Sequence, residues 1–93
     1  MRFMVIEWFR NGDPGPVYKR FVERGRMVPE GVRYVDSWVA ADGTHCYQLM
    51  ECEKTTDLHP WIDAWSDLVD FELVPVTDST TAAGKFNPSR AGG

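Results

Sequence analysis

Apolar residues crowd the chain from Arg2 to Phe9, where only Arg2 and Glu7 carry charge, and this run reads as a first strand. Asn11-Gly12-Asp13-Pro14-Gly15-Pro16 then gives a dense turn signal. A helix is predicted from near Pro16, since proline is welcome in a first helical turn, to Gly25, which supplies a C-terminal stop. Val17, Phe21 and Val22 make its apolar stripe, and Lys19, Arg20, Glu23 and Arg24 its wet side. Met27 to Gly31 is a linker broken by Pro29 and Gly31.

Val32–Ala41 and Thr44–Glu53 form two strands folded on Asp42-Gly43, a strong hairpin signal. A two-residue turn sets Ala41 opposite Thr44. It then pairs Ala40 with His45, Val39 with Cys46, Trp38 with Tyr47, Ser37 with Gln48, Asp36 with Leu49, Val35 with Met50 and Tyr34 with Glu51. One face therefore carries Tyr34, Asp36, Trp38, His45, Tyr47, Leu49 and Glu51. The other carries Val35, Ser37, Val39, Cys46, Gln48 and Met50. Neither is the charged face of a sheet open to water, so both are expected to be covered.

Thr55-Thr56-Asp57 offers caps for a second helix, and Pro60 falls in its first turn. Leu58, Trp61, Ile62, Trp65, Leu68 and Val69 recur at helical spacing. Phe71 to Val76 is a fourth strand, and Pro75 inside it marks an edge. From Thr77 onward periodicity is lost, so residues 78–93 read as a flexible C-terminal tail and 1–77 as the domain. Phe86, the one large apolar residue of that tail, can dock locally or on a partner subunit. The order βαββαβ is the ferredoxin-like arrangement of the α+β class, with a four-stranded antiparallel sheet. Its crossovers put strands one and three in the centre and both helices on one face. The other face stays bare unless two sheets pair back to back, which predicts a homodimer and a dimeric α+β barrel.

Composition supports this frame. A chain of 93 residues is one domain, and at that size only about 60–65% of the unfolded surface is buried, so a second copy is a natural cover. Four Trp in so short a chain suit a core, an interface or a ligand pocket. A net charge of −4 and no basic patch argue against nucleic acid. No apolar run approaches the roughly 18 residues of a membrane span, and the start lacks the length and cleavage site of a signal peptide. The expected location is the cytoplasm. Cys46 and Cys52, about 20 Å apart along one predicted strand, are too distant for a mutual disulfide and read as small buried hydrophobes.

A family resemblance is carried by several short patches. They are Met1-Arg2-Phe3-Met4-Val5, Pro29-Glu30-Gly31-Val32, Trp38-Val39-Ala40-Ala41-Asp42-Gly43, Glu51, Trp61, Trp65-Ser66-Asp67-Leu68 and Phe71 through Pro75-Val76. Together they resemble the domain of unknown function 3303. The resemblance covers about residues 1 to 77, more loosely between Asp13 and Gly31, and not the tail. It implies a dimeric α+β barrel, a fold whose other members include cofactor-free monooxygenases, muconolactone-type isomerases, haem enzymes and stress-response proteins. The family itself has no settled activity, and fold does not carry function.

Candidate chemistry gathers on the polar-aromatic sheet face. His45, Tyr47 and Glu51 are the candidate catalytic residues: His45 as acid or base, Tyr47 as donor to an oxyanion, Glu51 to orient either. Trp38, Tyr47, Trp61 and Trp65 are candidate walls for a flat apolar ligand, with Trp61 and Trp65 stacked four apart as a lid between helix and sheet. Glu7, which shares a face with Phe3, Val5 and Phe9, is the further candidate for ligand binding. The plain alternative is that the aromatics are core and the charges surface pairs. No metal-ligand spacing, phosphate loop or nucleophile elbow is present, and a domain this rich in Trp has little room for haem. Neither metal nor cofactor is expected. Three functions follow: a small dimer that binds an apolar or aromatic ligand or a partner, a cofactor-independent monooxygenase or isomerase, or a purely structural oligomerisation unit with a tightly packed interior.

Overall fold

A computed structural model describes residues 1–86. Four strands, β1 (Arg2–Phe9), β2 (Arg33–Val39), β3 (His45–Glu51) and β4 (Val69–Val76), form one antiparallel sheet in the order β2-β3-β1-β4. Helix α1 (Gly15–Arg24) joins β1 to β2, and α2 (His59–Trp65) joins β3 to β4. This is the ferredoxin-like α+β order, with β1 and β3 central and Pro75 on an edge strand, where its missing N–H leaves no inner ladder bond unmade.

Both helices lie on one face. Phe3, Val5 and Phe9 of β1 and Met50 of β3 point to that side and pack with Leu58, Trp61 and Trp65 from the second connection. The opposite face carries Met4, Ile6 and Trp8 of β1, Trp38 of β2 and His45, Tyr47 and Leu49 of β3. No element of the described residues covers it, and Trp8 and Trp38 are 44% and 51% exposed.

The hairpin keeps the sequence register from Val39↔Cys46 to Asp36↔Leu49. Beyond it, the pairs become Tyr34↔Met50 and Arg33↔Glu51, so Val35 is an extra residue at a bulge. A bulge turns every side chain beyond it to the other face. Tyr34 therefore sits on the helix side, its hydroxyl 2.6 Å from Ser37 Oγ, rather than beside Glu51. The turn is also wider than two residues: Gly43 N–H donates to Ala40 O at 2.8 Å, with Gly43 at φ +76°.

Several boundaries differ from the periodicity. Leu68 and Val69 extend the apolar stripe of α2 in sequence, but that helix ends at Trp65 and Val69 opens β4 opposite Phe9. Val22 points to solvent at 83% exposure, so the inner stripe of α1 is Val17 and Phe21. The segment read as a tail contains an eight-residue helix, α3 (Ser79–Phe86), whose start is capped where Asp78 accepts from Thr81 N–H at 2.7 Å. Phe86 is 71% exposed. The rest of that segment, residues 87–93, lies outside the described residues. No helix among the described residues is long and apolar enough to cross a membrane.

Gly25 ends α1 at φ 73°, ψ −167°, a region open to little besides glycine. A Cβ there would meet no atom within 4 Å, so the cost of adding one is conformational. Gly25→Ala is expected to lose about 1–3 kcal/mol of stability, measured by urea denaturation. A loss below about 0.5 kcal/mol would show that the turn relaxes freely.

Candidate functional site

A cavity of about 250 Å³ lies between the two helices and the sheet. Phe9, Cys46, Val39, Ser37 and Gln48 form its floor, α1 contributes Val17, Tyr18 and Phe21, and α2 contributes Trp61 and Trp65. No residue of α1 is fully buried, because what lies beneath this helix is largely the cavity.

One carboxylic acid lines this space. Glu7 is 5% exposed, placed there by the alternation of β1 among Val5 and Phe9. Gln48, its neighbour on β3, donates from Nε2 to Glu7 Oε2 at 2.8 Å. Arg26, just after α1, donates from Nε to Gln48 Oε1 at 2.9 Å. Arginine can only donate, so the Gln48 oxygen must face Arg26 and its amide N–H₂ must face Glu7. The relay leaves Glu7 Oε1 without a hydrogen-bond partner among the described residues.

Burial is the largest influence on the Glu7 carboxyl, outweighing the Gln48 hydrogen bond and the Arg26 charge, and pushes it up to about 7. Burial, with the nearby Glu7 charge, likewise pushes the Cys46 thiol up to about 11. Cys46 is thus a neutral thiol near pH 7 and a poor nucleophile.

Arg26 also organises the walls. Its carbonyl accepts both indole N–H groups, from Trp61 at 3.0 Å and Trp65 at 3.1 Å. Its guanidinium lies 3.8 Å from the centre of the Tyr34 ring, a half-buried cation–π contact created by the β2 bulge. The backbone that aims it is unusual on both sides, with Gly25 at φ +73° and Met27 at φ +60°. Such positive values are uncommon outside glycine and accompany a locally imposed geometry.

The sequence candidates divide between the two faces. Glu7, Trp61 and Trp65 meet at the cavity. Trp38, His45, Tyr47 and Glu51 lie on the open face, so Glu7 does not join them. On that face His45 stacks on Trp8 with ring centres 4.1 Å apart, and its Nε2 is 2.7 Å from Tyr47 Oη. Thr44 Oγ1 donates to Asp42 Oδ1 and lies 2.8 Å from His45 Nδ1. Two proton arrangements satisfy this chain: Nδ1–H donates to Thr44 in both, and either Tyr47 O–H donates to Nε2 of the neutral ring or Nε2–H of the imidazolium donates to Tyr47 Oη. Glu51 sits at the far end of β3, about 20 Å from His45, held below the usual carboxylate range by its hydrogen bonds to Arg2 and Arg33.

Gln48 and Arg26 were not candidates from sequence. Gln48 had one available signal, an amide on an otherwise apolar strand face. Arg26 had none, since a loop residue between two breakers carries no periodicity. Among the described residues no group of three His, Cys, Asp or Glu is placed to hold a metal ion.

The model of a family described as a domain of unknown function, DUF3303, matches residues 1–89. The chain belongs to the DUF3303 family. The match extends past residue 77 and takes in α3, which the short sequence patches did not reach. No curated protein and no solved structure matches the chain. In this DUF3303 member the buried acid, its amide relay and the two indoles converge on one cavity.

Proposed function

We propose that this protein is a cytoplasmic homodimer that binds a small, flat, apolar or aromatic ligand in the cavity between its helices and its sheet. The observation that carries this is the cavity itself: largely aromatic and aliphatic walls around a polar corner made by Glu7, Gln48, Ser37 and Arg26. Binding pockets share that plan of apolar walls with a few convergent polar groups. At about 250 Å³ the space suits a molecule of one or two rings. Trp61 and Trp65 line it, so entry of 2-naphthol is expected to quench tryptophan fluorescence saturably, and Trp65→Phe to reduce the quench. No saturable quench with any one- or two-ring probe would overturn ligand binding at this site.

Dimerisation is supported by the open sheet face, where Met4, Ile6, Tyr47 and Leu49 are only partly shielded in a single chain. An apolar face of this kind marks an interaction surface. The free, buried state of Cys46 and Cys52 suits a reducing compartment. Sedimentation of the wild-type chain is expected to show a dimer. Ile6→Asp, which places a carboxylate in the middle of that face, is expected to give a folded monomer. A wild-type monomer at micromolar concentration would overturn the dimer.

A second function, a cofactor-independent monooxygenase or isomerase, is favoured by Glu7. A carboxyl near 7 in an aromatic cavity is suited to exchange protons at neutral pH.

A further inference from the structure

We propose that Glu7 moves a proton on the carbon next to the carbonyl of a small cyclic ketone, interconverting the ketone and its enol or shifting a conjugated double bond. This rests on the cavity being a ligand site, as proposed above, and adds the substrate class and the residue that acts on it.

The geometry supplies three parts. Glu7 Oε2 is held by Gln48 Nε2 at 2.8 Å, which anchors one carboxyl oxygen and leaves Oε1 for the ligand. Arg26 lines the same cavity, with only Nε committed to Gln48; its Nη groups make no hydrogen bond among the described residues. The remaining walls are apolar and aromatic apart from Ser37, whose hydroxyl is engaged by Tyr34 at 2.6 Å, so the substrate is neutral and flat, with its one polar atom at the Arg26 corner. A carboxylate in apolar surroundings facing a fixed donor is a general arrangement for deprotonating carbon beside a carbonyl.

The step balances without any co-reactant. Glu7 Oε1 takes the proton, so the C–H bond breaks and an O–H bond forms. The C–H electron pair becomes the C=C bond of the enolate and the C=O π pair moves onto oxygen, where an Arg26 Nη–H stabilises the charge. The Glu7 O–H, whose proton exchanges with solvent, then protonates the original carbon or the far end of a conjugated system. Glu7 ends as a carboxylate, and nothing is oxidised or reduced. The Cys46 thiol takes no part.

The test uses the full chain with 2-tetralone, a neutral two-ring ketone. Binding is read by tryptophan quenching, and exchange of the protons next to the carbonyl is followed by NMR in deuterium oxide. The wild type is expected to accelerate exchange over buffer, with the excess rate rising through a pH of about 7 and then levelling, as Glu7 ionises. Glu7→Gln keeps the shape of the side chain and is expected to bind 2-tetralone within a few-fold of wild type while losing about 10²–10⁴ of the exchange rate. Equal exchange by Glu7→Gln and wild type would overturn the proposal. Binding by the wild type without acceleration would overturn it too and leave the binding function standing. If neither 2-tetralone nor 1-methylnaphthalene, which has no enolisable proton, binds at all, the cavity is no ligand site and both fall together.

Discussion

Trp61→Ala is expected to cost about 3–5 kcal/mol of stability, the range for removing a large buried aromatic side chain. Trp61 is 1% exposed, donates its indole N–H to Arg26 O and meets the Phe71 ring edge-on at 5.6 Å. It also walls the existing cavity, so truncation would merge two voids instead of leaving one that neighbours can fill. That places the loss toward the top of the range, since cost rises with the void that remains. A domain of this size has roughly 5–14 kcal/mol in total, so one substitution would consume a large part of it. Val22→Ala, at a position 83% exposed, serves as the control and is expected to change stability by less than about 0.5 kcal/mol. Urea denaturation of both variants checks the pair. A loss below about 1 kcal/mol at Trp61 would mean that this wall does not hold the helices to the sheet.

Stability is also expected to fall as pH rises between about 4.5 and 7, opposite to the trend set by most carboxylates. The Glu7 carboxyl stands near 7 in the folded chain against an ordinary value of 4.5. Between those values the folded state holds a proton that the unfolded state has lost. Stability then decreases with pH and levels off above about 7. At about 1.4 kcal/mol per pH unit the full decline is about 3 kcal/mol. Glu51, Asp67, Asp42 and Asp78 act in the other direction. Hydrogen bonds hold their carboxyls below the usual range, so their contribution is present above the ordinary carboxylate value and is lost as pH falls. Together these place the maximum of stability near pH 5. Glu7→Gln is expected to flatten the decline above pH 5 and leave the acid side unchanged. Thermal denaturation across pH 3 to 8 checks both limbs. A wild-type profile flat between pH 5 and 7.5 would show that Glu7 is not desolvated in solution.

Much of the fold was legible along the chain because it depends on local rules. Alternation in Arg2–Phe9 set which residues share a face, Asp42-Gly43 located the hairpin, and Pro75 marked the edge. Helix spacing placed Trp61 and Trp65 together, and the structure sets both on the cavity wall. Legibility ended where a local pattern has two continuations. Leu68 and Val69 fit a longer helix as well as the start of β4, and pairing with Phe9 decided for the strand. The extra residue at Val35 leaves no mark in the alternation, yet it turned Tyr34 toward Arg26.

The candidate site divided along the same line. Sequence alone determined that Glu7 sits among Phe3, Val5 and Phe9, because neighbours on a strand alternate whatever surrounds them. Sequence also determined that Trp38 and Tyr47 are cross-strand partners, because a turn fixes a register. Only the tertiary structure decided which face the helices cover. That choice buried Glu7 beside Trp61 and Trp65 and left His45, Tyr47 and Trp38 on the opposite side. It also brought Arg26 and Gln48 to the acid from 19 and 41 residues away in the chain. Contacts between distant segments depend on how whole elements pack, and no period or short motif in either segment encodes the meeting.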